Sequence, residues 1–163
     1  MDLYLQYGGY LSKLLASLIK GETPPKPNFE IDWEKFFEFC KSHKVENMVY
    51  SQVKNLSLVP KEALKKFSEA NACMCVAEAK QEILSQKIFS AFEREKVSYM
   101  PLKGIVIKKL YPVENHRTSN DVDILVKQKD FSKAEKVLQG LGYNFLGGSN
   151  RDNDYHKGYS KGV

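Results

Sequence analysis

Two aspartates separated by one residue, Asp121 and Asp123, are the side chains of this sequence best suited to chemistry. They begin an apolar segment that predicts a strand, and residues two apart in a strand project from the same face with α-carbons about 6.6 Å apart. Two parallel carboxylates can share a hard divalent cation, because magnesium commonly combines one or two carboxylates with substrate phosphates. The spacing predicts a magnesium site, with manganese as the alternative ion. Carboxylates at a strand start are also common in solvated turns.

Four residues near this pair are candidates for binding phosphate. Lys103 and Gly104 fall where a predicted strand becomes a predicted helix, so free amides and the helix dipole would favour an anion there. Arg117 could hold a phosphate through two parallel hydrogen bonds, and Ser119 could donate one. Simpler interpretations stay open: a turn glycine, a solvated lysine, and an arginine that neutralises the aspartates. His116 is interpreted as a surface histidine rather than a base.

The N-terminal part of the chain is predicted to be helical. Apolar residues recur at spacings of three and four over the first helix, which is predicted to end near Gly21. Asp32 is suited to capping a second helix. A third helix is predicted over Glu46–Asn55. Pro60 suits the first turn of a long helix reaching about Lys96, as one helix or as two broken near Asn71.

Beyond residue 96, strands alternate with helices. The predicted elements are strands over residues 97–102, 122–127 and 143–146 and helices over 103–111 and 131–141. We expect an α+β or α/β fold with three parts. They are a helical N-terminal region (1–96), a small α/β core (97–148) and a loop-like or disordered tail (149–163).

Composition restricts the location and the class of partner. The net charge of +5, from 25 Lys and Arg against 20 Asp and Glu, is spread along the chain. It predicts a mild attraction to anions such as nucleotides or RNA. The three cysteines lack the spacing of a zinc site, so reduced thiols are expected. Without a long apolar run or a secretory signal in the sequence, a cytoplasmic protein with no membrane partner is expected.

Several short motifs between residues 97 and 146 carry a family resemblance. They are Pro101-Leu102-Lys103-Gly104, Leu110-Tyr111-Pro112, Arg117, Ser119, Asp121-Val122-Asp123-Ile124-Leu125-Val126 and Leu141-Gly142-Tyr143. Together they resemble the uncharacterised nucleotidyltransferase-like family of the polymerase-beta nucleotidyltransferase superfamily. The resemblance implies a small mixed sheet flanked by helices, with Asp121 and Asp123 as magnesium ligands. It also implies that Lys103 and Gly104 lie near the nucleotide phosphates.

The sequence departs from the superfamily pattern at two places. Members carry Gly-Ser or Gly-Gly at the phosphate turn, whereas Gly104 is followed by Ile105. Another of the phosphate-binding candidates would have to replace the missing hydroxyl. Members also bring a third carboxylate from a later strand. Asp152 and Asp154 lie in the predicted tail, so the chain is interpreted as a version, or a fragment, that lacks this acid and has an incomplete core.

Three functions are consistent with the sequence. The first is a magnesium-dependent nucleotidyltransferase that moves a nucleoside monophosphate from an NTP to a hydroxyl of a small molecule, a protein or an RNA end. The second is a catalytically incomplete module that binds a nucleotide or a partner protein. The third is a helical RNA-binding protein, which the basic balance suggests without an Arg-rich or aromatic motif. The nucleotide base, the acceptor and the oligomeric state stay open.

Overall fold

The structure is a computed structural model that describes residues 3–111, 113, 116, 121–149 and 152–156. The chain divides into two compact units. The first, called the helical unit, combines Met1–Ala79 with Gly104–Asn120, and the second, called the strand unit, combines Lys80–Lys103 with Asp121–Val163.

Among the described elements, four helices come first along the chain, and the strands follow with two further α-helices between them. The helices are α1 (Leu3–Lys20), α2 (Trp33–Ser42), α3 (Glu46–Val53), α4 (Lys61–Arg94), α5 (Gly104–Ile107) and α6 (Phe131–Gly140). The strands are β1 (Tyr99–Pro101), β2 (Ile124–Val126), β3 (Asn144–Ser149) and β4 (Asp152–His156). Short 3-10 turns occupy Lys108–Leu110 and Gln128–Asp130. This order confirms an α+β protein with a helical N-terminal region.

The start and stop signals read from the N-terminal sequence are confirmed. Asp32 caps α2, because its carboxylate accepts a 3.1 Å hydrogen bond from the Lys35 amide. Gly21 follows α1 with a φ of 68°, a left-handed conformation that glycine adopts without steric cost. α4 continues through Asn71, so the long helix is one helix and not two.

The helical unit is built around an aromatic core. The Tyr7 ring meets Phe36 edge-on at 5.4 Å, and Phe37 meets Phe67 at 5.0 Å, the tilted geometry that aromatic quadrupoles favour. The Tyr7 hydroxyl donates to the Asp32 carbonyl at 3.1 Å. The buried ring therefore keeps a hydrogen-bond partner for its polar end.

The strand unit has a smaller core against one face of an antiparallel strand pair. The register pairs Tyr99 with Val126, Met100 with Leu125 and Pro101 with Ile124. The residues of the core are buried Ile88, Phe92, Val97 and Ala134, with partly buried Tyr99, Ile124 and Val126 packed against them. The β1–β2 pair thus has a packed inner face.

Three predicted elements after α4 are shorter than expected, and one of them is the strand predicted over residues 122–127, which covers Ile124–Val126. The strand predicted from Val97 begins at Tyr99, because Val97 closes the end of α4: its amide donates to the Phe92 carbonyl at 2.8 Å. The helix predicted over residues 103–111 is one α-helical turn, α5, followed by a 3-10 turn. Lys103 has a φ of 46°, which is incompatible with a right-handed helix, so the helix begins after it.

The segment predicted to be a loop-like tail contains a strand. β4 pairs antiparallel with β3, and the rings of Phe145 and Tyr155, which lie opposite each other, meet at 5.7 Å. The polar sequence of β4 lacks an apolar alternation, so its stability comes from pairing and not from a pattern visible in the sequence. Within the described residues the strands form two antiparallel pairs, β1–β2 and β3–β4, where a mixed sheet was expected.

The three cysteines are free thiols, and the lengths and hydropathy of the described helices are also informative. The three cysteines form no disulfide, and burial raises the pKa of the Cys40 thiol. Among the described residues, no helix combines the length and the apolar character needed to cross a membrane.

Candidate functional site

Strand pairing fixes the position of Asp123. The residue directly precedes β2, and its carbonyl accepts a 2.9 Å hydrogen bond from the Leu102 amide. This bond continues the β1–β2 ladder one step beyond the pair of Pro101 and Ile124. Because Ile124 packs on the inner face, alternation places the Asp123 side chain on the outer, solvent-accessible face.

Asp121 is held two residues earlier by a side chain of α4. The Gln81 side-chain amide donates a 3.1 Å hydrogen bond to the Asp121 carbonyl. The exposed carboxylate of Asp121 therefore extends from a backbone that is tied to a helix rather than from a mobile turn. Sequence reasoning missed Gln81, since nothing in the pattern of α4 marks a residue forty positions away as a partner.

Lys103 contacts the candidate metal ligand directly. Its Nζ lies 3.2 Å from Oδ1 of Asp123, with the lysine side chain 71% exposed and the aspartate 36% exposed. A pair this open to water stabilises the fold little. It does place an ammonium group within reach of any anion that approaches the Asp123 carboxylate.

The backbone of Lys103 is strained for a residue with a side chain. Its φ of 46° is positive, as are those of Lys44 and Lys96. Lys44 and Lys96 follow the ends of α2 and α4, where a left-handed residue is a common helix stop. Lys103 instead lies between a strand and a helix start. Strain of this kind in a loop that carries charge favours a functional interpretation.

Gly104 begins α5 and is buried. The division between the two units falls between Lys103 and Gly104. Since α5 has four residues, its dipole is much weaker than that of the longer helix expected from the sequence. Any attraction of phosphate to this segment therefore rests more on the Lys103 ammonium than on the helix.

A second carboxylate in the strand unit holds the start of β1. The Ser98 amide donates to Oδ2 of Asp130 at 3.0 Å, and this hydrogen bond holds the pKa of the Asp130 carboxyl below its usual range. The Lys127 amide donates to the Ser98 carbonyl at 3.1 Å. These bonds tie one end of the β1–β2 pair, and the bond from the Leu102 amide to the Asp123 carbonyl ties the other. The outer face therefore has a rigid support.

The donor set of the two aspartates fits a hard divalent cation. Both residues offer carboxylate oxygens at or near the surface, so phosphate and water oxygens have access to complete the six ligands that magnesium requires. On binding of a metal ion, the Lys103 ammonium would share the Asp123 carboxylate with the ion or move away from it. Within the described part of the chain, no group of three or more His, Cys, Asp or Glu side chains is arranged to hold a metal ion.

The structure does not describe the side chains of four residues that were named from the sequence. Arg117 and Ser119 lie outside the described residues, so their assignment to phosphate stays a prediction. Asp152 and Asp154 lie on β4 by their backbone, and their side chains are outside the description. The third carboxylate of the superfamily pattern is therefore not assigned.

The interpretation of His116 as a surface residue is wrong. The side chain is 4% exposed, and its Nε2 lies 2.8 Å from the Ser51 hydroxyl. Burial, with a smaller contribution from the Lys54 charge, lowers the pKa of His116.

The helical unit also buries an ion pair in which Nζ of Lys108 is 2.7 Å from Glu78. No local signal marks either pair, because the partners are 65 and 30 residues apart.

The chain matches the model of a protein family. A model of a family described as uncharacterised nucleotidyltransferase matches residues 30–163, which is more than half of the chain and includes the β1–β2 pair and both aspartates. α1 precedes the matched region. No curated protein matches the chain, and no solved structure does.

Proposed function

The chain belongs to the family of uncharacterised nucleotidyltransferases, and we propose that it transfers a nucleoside monophosphate from an NTP to a hydroxyl acceptor with magnesium. The observation that carries the proposal is the outer face of the β1–β2 pair. There the strand ladder fixes Asp123 and the Lys103 ammonium lies beside it. Carboxylates for a metal and a cation for phosphate are the groups that this chemistry needs.

Each residue of the face has a proposed role. Asp121 and Asp123 would hold the magnesium ion, which when bound neutralises phosphate charge and polarises the phosphoryl oxygens. Lys103, 3.2 Å from Asp123, would pair with a phosphate oxygen as a point charge. Gly104, Arg117 and Ser119 are proposed as further phosphate contacts on the strength of the sequence motif.

The reaction forms one phosphorus–oxygen bond and breaks another. The acceptor oxygen bonds to the α-phosphorus while the bond to the bridging oxygen breaks, and pyrophosphate leaves with that electron pair. The acceptor proton passes to a base that the described residues do not identify. The acceptor is proposed to be a hydroxyl of a small molecule, a protein or an RNA end, in a protein of the cytoplasm.

A second function is a catalytically incomplete module that binds a nucleotide or a partner protein. Two observations favour it. Ile105 follows Gly104 in place of the serine or glycine of the superfamily pattern, and the Lys103 ammonium pairs with the Asp123 carboxylate at 3.2 Å. Such a module would bind nucleotide through the same face and transfer nothing.

Thermal stability with and without nucleotide tests the proposal. A ligand at 100 times its Kd adds about 2.7 kcal/mol to the stability of the folded state. We expect magnesium-dependent stabilisation by at least one of ATP, GTP, CTP and UTP, lost in the double variant Asp121→Asn, Asp123→Asn. The control Glu22→Gln, Glu30→Gln removes two exposed carboxylates elsewhere and should keep the shift. The absence of any shift in the folded wild-type protein would contradict nucleotide binding.

Transfer of label then separates the enzyme from the binding module. The nucleotide that stabilises the protein is supplied with a labelled α-phosphate, together with small-molecule, protein and RNA acceptors. The enzyme moves the label to an acceptor and releases pyrophosphate in a reaction that the double aspartate variant abolishes. Nucleotide binding without transfer to any acceptor class would favour the module.

A further inference from the structure

The outer face of the β1–β2 pair exposes two large aliphatic side chains beside the candidate metal ligand. Met100 and Leu125 are direct cross-strand partners, and they are 52% and 54% exposed. Side chains at paired positions of an antiparallel ladder lie within contact distance of each other. They therefore form one apolar surface, called here the Met100–Leu125 patch.

This patch lies on the same face as Asp123. Ile124 and Val126 pack into the core on the inner face, so Asp123 and Leu125 both project outward. Two strand residues correspond to about 6.6 Å. The patch therefore begins about one sugar ring away from the carboxylate at which the phosphates are proposed to bind.

The order of groups along the face matches the order of groups in a nucleotide. Lys103 and Asp123 offer a cation and a metal-binding carboxylate at one end, and the patch offers an apolar surface next to them. A nucleoside triphosphate carries its charge on the phosphates and an aromatic base at the far side of the ribose. Every base has a π-face that packs on apolar side chains.

Strand formation alone does not account for the patch. Threonine has a strand propensity similar to that of the aliphatic residues and leaves less apolar surface in water. The remainder of the pair is tied at both ends by hydrogen bonds through Ser98 and Leu102, so the two side chains are presented on a fixed support. Burying them against a ligand would remove apolar surface from water without the cost of ordering a loop.

We propose that Met100 and Leu125 form the surface on which the base of the bound nucleoside triphosphate packs. The inference rests on the proposed nucleotide function and adds to it the residues that contact the nucleoside. Asp121, Asp123 and Lys103 hold the triphosphate end, and the patch contributes affinity for the base. Affinity for the nucleotide thereby divides into two parts that can be measured separately.

The test compares magnesium-ATP with magnesium-tripolyphosphate, which has the phosphates but no nucleoside. Binding of each to the full chain is measured by calorimetry for wild type, for Leu125→Thr and for Met100→Thr, Leu125→Thr. Leu146→Thr is the matched control, because Leu146 is a 68% exposed strand residue of β3. Circular dichroism establishes that each variant is folded.

We expect the double variant to bind ATP about tenfold more weakly, near the low end of measured base-stacking contributions. The single variant should show a smaller loss. Tripolyphosphate binding should stay within about twofold of wild type in every variant, and Leu146→Thr should match wild type with both ligands.

Four results would overturn the inference. Unchanged ATP binding in the double variant would place the base elsewhere and leave the proposed function intact. Equal losses for ATP and tripolyphosphate would mean that the patch supports Asp123 rather than the base. A wild-type dimer that dissociates in the double variant would show that a second copy covers the patch. If wild type binds neither ligand, the proposed function fails, and the inference fails with it.

Discussion

The helical unit contains two polar pairs that are buried, whereas the polar pair at the candidate site of the strand unit is accessible to water. In the helical unit Lys108 is buried with Glu78, and His116 is buried with Ser51. In the strand unit the pair of Lys103 and Asp123 is accessible to water on the outer face of two strands. The buried ion pair of Lys108 and Glu78 is held within the fold, whereas the accessible pair of Lys103 and Asp123 can exchange its partner for a ligand.

The difference in access to water separates polar pairs that stabilise the fold from a polar pair that can bind a ligand. Desolvated charges are costly unless they are paired, so breaking a buried pair destabilises the protein strongly. An exposed pair contributes little to stability, and its removal is expected to be visible mainly in ligand binding.

The largest effect is expected in the aromatic core of the helical unit. Phe36 is completely buried, so Phe36→Ala should cost about 3–5 kcal/mol of unfolding free energy by leaving a cavity. The matched change Phe145→Ala, at a half-exposed residue of β3, should cost about 1 kcal/mol, the value of its contact with Tyr155. Urea denaturation measures both. Equal losses of unfolding free energy would show that the buried Phe36 contributes no more to stability than the half-exposed Phe145.

The next effect contrasts the buried and exposed ion pairs. Lys108→Met leaves Glu78, which is 14% exposed, without its cation and should cost about 3 kcal/mol. Lys103→Met, at the exposed pair, should cost less than about 1 kcal/mol. The double variant Glu78→Gln, Lys108→Met should recover much of the first loss in the same urea experiment. No recovery would mean that Lys108 stabilises through its other contacts.

A smaller effect concerns the positive φ of Lys103. Lys103→Gly relieves the left-handed strain and should stabilise the fold by up to about 1 kcal/mol while weakening nucleotide binding. Lys96→Gly relieves the same strain at the end of α4 and should stabilise the fold without changing binding. Thermal unfolding with and without magnesium-ATP measures both properties. Equal binding by the two variants would remove the functional interpretation of the strain.

The smallest effect is the pH dependence from His116. Burial lowers its pKa in the folded state, so the unfolded chain takes up the proton first as the pH falls. The stability associated with the neutral imidazole is present above about pH 6.5 and is lost as the pH falls from there toward the folded pKa. Urea denaturation at pH 7.5 and 5.5 should show a loss that His116→Gln removes. Lys54→Met should reduce the loss, because Lys54 lowers the same pKa. An unchanged loss in His116→Gln would assign it to another group.

Local patterns in the sequence predicted the elements that carry the site. Asp121, Asp123 and the apolar residues after them predicted the strand β2, and Asp32 and Gly21 predicted where helices begin and end. These signals lie within a few residues of the structure that they specify. The structure therefore confirms them, with boundaries that differ by a few residues.

Long-range pairs were not predictable in the same way. The contacts of Gln81 with Asp121 and of His116 with Ser51 join positions 40 and 65 residues apart, and no periodicity encodes them. The positive φ of Lys103 was also missed, since lysine has no preference for that conformation. Arg117 and Ser119 lie outside the described residues and remain predictions from the motif.

Proton relaxation of water in the presence of manganese-ATP tests the central claim most directly, because the signal requires metal, nucleotide and protein together. The account predicts an enhanced relaxation rate when the protein is added, retained in Glu22→Gln, Glu30→Gln and lost in Asp121→Asn, Asp123→Asn. Enhancement that persists undiminished in the aspartate variant would contradict the assignment of the metal-nucleotide site to the outer face of β1 and β2.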